Sequence, residues 1–390
     1  MENSHPLPAS ALPPGVRSRF IDNHNGCVMH VLEAGFDPPG RPGVVLLHGF
    51  PELAFSWRNQ LPFLAQAGFH VIAPDQRGYG RSGGTDVGFG DDLWPYTPLN
   101  RVSDTLGLVR ALGHERVAAV IGHDYGAHVA GWCALIRPDV FRALVLMSAT
   151  FAGPPNLPLG TAQAAVAAPG DGVQDALAGL AFLPRPRKHY WQYYATPEAN
   201  ADVWRCPQGV HDFLRAYFHF KSADWPGNKP FPLRGWTAGE LEKMPTYYIM
   251  DRDQDMARTV APEMPSAAQI AACKWLTEDQ MAVYSEEYSR TGFQGGLQAY
   301  RILTDPRFAA PLRAFSDRTV DVPSRFISGA QDWGNHQVPH GLERLRRQIC
   351  TRMEEPALIE GAGHWVQQEA AAKVNALLLE FLRANAQGRD

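Results

Sequence analysis

Short apolar runs alternate with stretches of helical periodicity in both end regions of the chain, the pattern expected of parallel strands joined by crossover helices. Val44 to Leu47 reads as a buried strand entering the turn His48-Gly49-Phe50-Pro51, followed by a helix around Trp57 to Ala67. His70 to Ala73 is the next strand, Asn100 to Leu112 a helix, Val117 to Ile121 a strand and Ala127 to Ile136 a helix, and Ala143 to Met147 closes the first half. The predicted order is β, β, β, α, β, α, β, α, β. From about Ser148 to about Phe315 the texture changes to Ala-rich stretches, tyrosine and tryptophan clusters and Pro/Gly breaks, with few β-branched runs suited to central strands. This predicts a mainly helical cap inserted into the sheet. The sheet resumes with Ser324 to Ser328 and Pro356 to Ile359, and an amphipathic helix from about Ala370 to Ala384 follows. The expected division is a flexible tail over residues 1–17, a core over 18–149, the cap over 150–315 and the rest of the core over 316–390.

Composition narrows the possibilities. With 390 residues, 45% hydrophobic and 19% charged, the chain can bury a large core and an inserted unit. A formal net charge of -4, with Lys and Arg scattered among acids, argues against nucleic acid as a partner, and the pattern has no membrane span. The five cysteines are far apart and lack a C-x-x-C pair, which argues against a zinc site and a disulfide framework and fits a cytoplasmic protein. Residues 1–17 lack the basic and apolar regions of a signal peptide. Oligomeric state is left open, a homo-oligomer included.

The chemistry gathers around one turn. In Gly122-His123-Asp124-Tyr125-Gly126, glycines two residues either side of Asp124 permit a very sharp strand-to-helix turn that holds the central side chain out at the carboxyl end of the sheet. Asp124 stands where a serine usually sits, at a helix N-terminus that favours an ionised carboxylate. Taken alone, the same residue suits a plain helix N-cap. Further along, however, Asp332 in Ser328-Gly329-Ala330-Gln331-Asp332-Trp333 and His364 in Gly361-Ala362-Gly363-His364-Trp365 each follow a strand, giving the order nucleophile, acid, base. The turn at His48 completes the set: the backbone N–H groups of Phe50 and Tyr125 fall in the two loops that build an oxyanion hole. Gly78-Tyr79-Gly80-Arg81-Ser82-Gly83 matches a dinucleotide fingerprint literally, but the segment after it, Gly84 to Pro98, is loop-like where a helix should open, so nucleotide binding is set aside.

The combination of His48-Gly49-Phe50-Pro51, Asp75-Gln76-Arg77-Gly78-Tyr79-Gly80-Arg81-Ser82, Gly122-His123-Asp124-Tyr125-Gly126 and Gly363-His364-Trp365 resembles the epoxide hydrolase branch of the α/β-hydrolases. The resemblance covers nearly the whole core. It implies an α/β-hydrolase fold with a mostly parallel sheet flanked by helices and capped by the insertion. It also implies two cap tyrosines as proton donors to the departing epoxide oxygen. Tyr300, followed by Arg301, is similar to the second of these, and Tyr190, with Thr196-Pro197 downstream, to the first; Tyr193 and Tyr194 compete for that place. The family usually carries Asn-Trp before the second tyrosine, where this chain has Gln298-Ala299. The mechanism implied is attack by Asp124 to form a hydroxyalkyl ester, then hydrolysis by water activated by the His364-Asp332 pair, with no cofactor and no metal. The pocket is expected to be mostly apolar and to be lined by His48, Trp191, Ala299 and Trp365, for a small apolar epoxide. Two alternatives stay open. One is a haloacid or haloalkane dehalogenase with the same nucleophile, although that branch commonly has Trp or Arg where this chain has Tyr125. The other is a non-catalytic ligand-binding protein on the same scaffold.

Overall fold

The computed structural model describes residues 5–157 and 171–385; the tail's first four residues, residues 158–170 of the expected cap and residues 386–390 lie outside the described residues. Ten strands are described: β1 Val16–Asp22, β2 Val28–Ala34, β3 Gly43–Leu47, β4 His70–Pro74, β5 Val117–His123, β6 Leu144–Met147, β7 Arg187–His189, β8 Ile249–Asp251, β9 Ser324–Gly329 and β10 Ala357–Ile359. Eight of them form one sheet in the order β1-β2-β4-β3-β5-β6-β9-β10. The pairs β1·β2 and β2·β4 are antiparallel, and every other pair in the sheet is parallel. The expected order of elements up to Met147 therefore holds, with helices at Gln60–Gln66, Pro98–Ala111 and Tyr125–Ile136.

Central strands read as unbroken apolar runs because both faces of the sheet are covered. Alternation still decides which face each residue serves. Val44, Leu46, Ala119, Ile121 and Val145 join the cluster that holds Trp57 and Leu61 on one side. Val45, Leu47, Val120, Leu144 and Leu146 join the cluster packed on the helices Pro98–Ala111 and Tyr125–Ile136 on the other.

Two features depart from the sequence expectations. Val16 and Arg17, placed in the tail, open β1, where they pair with Ala34 and Glu33. Before them, Leu7 and Leu12 pack on the core, and the Leu7 N–H donates to Ser18 Oγ at 2.9 Å. A short hydrophobic stretch that docks on an edge strand carries too little periodicity to be seen beforehand. Between β6 and β9 the described residues are mainly helical as expected, but they also contain the antiparallel ribbon β7·β8, separate from the main sheet. Each of its strands is three residues long, below the length at which alternation is legible.

Register fixes where the loops emerge. Leu47 at the end of β3 pairs with Gly122 of β5, His123 pairs with Met147 of β6, and Gly329 of β9 pairs with Ile359 of β10. The loops that carry Phe50, Asp124, Asp332 and His364 thus leave one carboxyl edge of the sheet, the usual place for a ligand in such folds.

Candidate active site

The turn at Asp124 is strained, and its sequence explains how it is tolerated. Asp124 has φ 51° and ψ -120°, in the left-handed half that non-glycine residues rarely occupy. The chain closes so tightly that a Cβ on Gly122 would lie 2.1 Å from Gly126 O, and one on Gly126 would lie 2.2 Å from Leu47 O. Although Asp124 precedes the helix Tyr125–Ile136, its side chain makes no capping bond to it. The plain N-cap reading is therefore set aside. The carboxylate instead turns outward, where Oδ1 accepts the Phe50 N–H at 2.9 Å and Oδ2 lies 3.4 Å from His364 Nε2.

His364 is buried, and its Nδ1 is 3.1 Å from both oxygens of Asp332. Asp332 in turn accepts the Gly334 N–H at 2.7 Å and the Ser328 hydroxyl at 3.3 Å, which locks its plane toward the imidazole. The electrostatics follow from these partners. Burial opposes ionisation of Asp124, but the His364 hydrogen bond and charge, with Lys221 and His123 nearby, hold it well below the usual carboxylate range. Burial and the Lys221 ammonium push the His364 imidazole down, while Asp332 and Asp124 pull it up, and the net pKa lies above the ordinary histidine value. Asp332, opposed by burial, is held down chiefly by His364.

A cavity of about 300 Å³ opens over Asp124 and is lined by Tyr125, Tyr190, Trp191, Ala299 and Tyr300 among others. The Tyr190 and Tyr300 rings stand 5.8 Å apart, and the Tyr190 hydroxyl donates to Gln337 Oε1 at 3.2 Å. Burial first, then the Asp124 charge for Tyr190 and the Tyr190 phenol followed by the Asp124 charge for Tyr300, push both phenols well above their ordinary pKa, so both hold their protons at neutral pH. Packing places the competing cap tyrosines differently. Tyr193 donates to Asp202 Oδ2 at 3.0 Å, away from the cavity, and Tyr194 is fully buried between Phe50 and Tyr300.

Two residues expected in the pocket wall lie behind it. His48 is fully buried, its Nδ1–H donating to Gly49 O at 2.8 Å and its Nε2 accepting the Gln76 N–H at 3.0 Å, so both ring nitrogens are spent on backbone groups of its own loop and of the loop after β4. Trp365 is also fully buried, stacked on Phe218 at 4.2 Å with its indole N–H donating to Phe218 O at 2.8 Å. Each adjoins a site residue in sequence, but its side chain points the other way.

Other residues of the site were not legible. Glu52 is fully buried and accepts from Gly49 N–H at 3.1 Å, Gln367 Nε2 at 2.7 Å and Gln368 Nε2 at 3.1 Å, and it faces His123 Nδ1 at 2.5 Å. The other ring nitrogen of His123 is 2.7 Å from the carbonyl oxygen of His364, so Glu52 braces the His364 backbone through His123. Glu369 clamps the same loop, accepting Gly363, Trp365 and Ala223 N–H groups at 2.8 to 2.9 Å. The buried Lys221 offers its carbonyl to His364 N–H at 3.0 Å, and its ammonium sits among the rings of Tyr217, Tyr248 and Trp365, 5.1 to 5.5 Å from their centres. The sole advance signal for Glu52 was its place directly after Pro51; Lys221 gave none, since His364 is remote in sequence, and Glu369 gave none, since its nearby partners are backbone N–H groups that leave no mark on the sequence.

Among the described residues no group of three or more His, Cys, Asp or Glu side chains has metal-site geometry, and no helix is long and apolar enough to cross a membrane.

The model of the alpha/beta hydrolase fold family matches residues 42–371. The chain is 33% identical over 372 residues to Epoxide hydrolase A of Mycobacterium tuberculosis, covering 93% of this chain and 96% of that protein. It is 32% identical over 361 residues to an epoxide hydrolase of Caballeronia sordidicola, covering 92% of each. Among solved structures, an epoxide hydrolase from an endophytic Streptomyces matches with a TM-score of 0.75 and 30% identity over 95% of this chain and 96% of that one.

Proposed function

This chain belongs to the α/β-hydrolase family, among relatives that are epoxide hydrolases, and from that premise we propose that it opens epoxides to vicinal diols through an ester on Asp124. The observation that carries the assignment is the division of labour between the two oxygens of Asp124. Oδ1 is held by the Phe50 amide, which leaves Oδ2, facing the cavity and His364, free to attack carbon.

The steps follow from the geometry. Oδ2 attacks a ring carbon and the C–O bond of the epoxide breaks. The departing oxygen is a strongly basic alkoxide and takes a proton from the phenols of Tyr190 and Tyr300, which hold theirs until so basic an acceptor arrives. Water then loses a proton to His364 Nε2 and attacks Cγ of the ester. The oxyanion that forms on Oδ1 meets the Phe50 amide already in place, joined by that of Tyr125. Collapse breaks the Cγ–Oδ2 bond; the imidazolium, kept oriented by Asp332, returns its proton to the departing oxygen, and the second proton of the attacking water passes from the regenerated Asp124 carboxyl to the tyrosinate as the diol leaves. The insertion over residues 150–315 serves as the cap, and it brings Tyr190, Trp191, Ala299 and Tyr300 over the nucleophile. Halide release and passive ligand binding are not favoured, since the relatives are epoxide hydrolases and all three members of the nucleophile, acid and base set are present.

Ester formation changes the base. Asp124 loses its charge on alkylation, so one of the two carboxylates that raise the His364 pKa falls silent, while burial and Lys221 still lower it. His364 must be neutral to take a proton from water. Ester breakdown is therefore expected to rise with pH to a plateau, with a governing pKa below that of the imidazole in the free enzyme. Single-turnover decay of the ester across pH, beside an NMR titration of His364 in the free protein, measures both. A breakdown pKa above the free-enzyme value contradicts the assignment of roles.

Ala299 stands at the cavity wall beside Trp191 and Tyr300. We read the small side chain as room for a larger substituent on the epoxide. Ala299→Trp is expected to lower kcat/KM for trans-stilbene oxide about tenfold or more relative to styrene oxide, because a filled wall excludes the second ring. An unchanged ratio between the two substrates removes Ala299 as the source of the space. Proof of the function itself is diol formation from such a panel with label in Asp124.

A further inference from the structure

The helix that begins at Tyr125 does not bury all of its faces. Tyr125, His128, Val129 and Trp132, spaced i, i+3, i+4 and i+7, form one stripe, and all four line the cavity. The floor of the cavity is thus a helix face running away from the nucleophile. Val129 offers methyl groups, and Tyr125 and Trp132 offer ring faces, the Tyr125 hydroxyl being engaged by Arg101. His128 is the one member with both a donor and an acceptor nitrogen in its ring.

The imidazole of His128 is half-buried, and among the described residues neither ring nitrogen has a hydrogen-bond partner; its ring neighbour is Tyr125, at 6.1 Å between centres. Burial pushes its pKa below the ordinary histidine value even though Asp124 pulls the other way, so at neutral pH it presents one N–H donor and one bare acceptor. Open to solvent, both are satisfied by water. A purely hydrocarbon substrate lying along the stripe strips that water away and supplies nothing in return, which costs the complex a buried, unpaired polar group. A substrate with an oxygen at that point avoids the cost. His128 lies four positions beyond Asp124, a helical rise of roughly 6 Å, which sets its imidazole near the point of attack and favours an oxygen close to the ring that Asp124 opens.

We propose that His128 is a specificity-determining residue, which makes the preferred substrates epoxides that carry a hydroxyl on the carbon beside the ring, with the rest of the chain lying along Val129 and Trp132. The inference rests on Asp124 as the point of attack, and it narrows the apolar substrate expected from composition to an amphipathic one.

The test compares trans-epoxyoctanol, with its hydroxyl beside the ring, with trans-epoxyoctane, in the unmodified protein and in His128→Leu and His128→Gln. The unmodified protein is expected to favour the alcohol in kcat/KM by about tenfold or more, the effect of one satisfied against one unsatisfied polar group, with the difference in KM rather than kcat. In His128→Leu the ratio falls toward one, as the alcohol loses its partner and the hydrocarbon gains an apolar wall. His128→Gln, which keeps a donor and an acceptor, retains part of the preference. Calorimetric binding of the matching octanetriol and octanediol to the same three proteins needs no turnover and should show the same order. Equal ratios in the unmodified and leucine proteins, by turnover or by binding, overturn the proposal. Triol preference that depends on His128 in a protein that turns over neither epoxide supports the proposal while refuting the nucleophile assignment, so the two fail separately.

Discussion

Asp124→Ala is expected to lower diol formation by at least about 10⁴-fold, the scale on which loss of a covalent nucleophile leaves only binding and general polarity to act. Three features of the site concentrate the chemistry on this carboxylate. The Phe50 amide holds one of its oxygens, His364 faces the other at 3.4 Å, and its backbone occupies φ 51°, a conformation maintained at a cost to the fold. That cost supplies a control against trivial inactivation by unfolding. Asp124→Gly removes the same carboxylate but relieves the backbone, since glycine adopts positive φ freely. It should be as inactive as the alanine variant and more stable by about 1 kcal/mol in urea or thermal unfolding. Equal activity losses with that stability order identify a residue kept for chemistry at the expense of the fold; retention of activity in either variant contradicts the nucleophile.

His364→Gln is expected to separate the two halves of the reaction. Attack by Asp124 needs the carboxylate and the two tyrosines, whereas ester breakdown needs a base for water, and glutamine supplies none. Mixed with excess epoxide, the variant should consume about one equivalent per chain and then stall, with steady turnover reduced by about 10³-fold or more. The Asp124 peptide should gain the mass of one substrate molecule. The absence of any such adduct, with slow turnover continuing, removes His364 from ester breakdown. The surrounding bonds make glutamine a fair replacement, because the loop is also held through backbone groups: His364 N–H to Lys221 O, His364 O to His123 and Ser148, and the flanking N–H groups to Glu369.

Asp124, Asp332 and His364 stand out in the sequence because each sits in a short segment whose local chemistry is unusual: a carboxylate between two glycines, and polar loops directly after apolar strands. Helices and strands around them were legible from periodicity, as in Val117–His123 followed by Tyr125–Ile136. What escaped is what depends on residues distant in sequence. Glu52 and Lys221 matter through partners more than 60 residues away, as does Glu369 in its bond to Ala223, and no spacing announces such pairs. The choice of Tyr190 over Tyr193 and Tyr194 turns on which way a five-residue helix presents its side chains. His48 and Trp365 adjoin site residues yet point inward, because neighbours along a tight loop diverge in direction. His128 carries no signal in the sequence, since within a helix an unpaired histidine looks like any other without the space above it.

The central claim is that water attacks the Asp124 ester and never the epoxide. A single turnover with excess enzyme in oxygen-18 water, followed by mass analysis of the diol and of the Asp124 peptide, tests it most directly. The account predicts an unlabelled diol, since its new oxygen comes from the carboxylate, and one heavy oxygen in Asp124. A diol labelled in that first turnover, beside an unlabelled Asp124 that never carried an adduct, would contradict it.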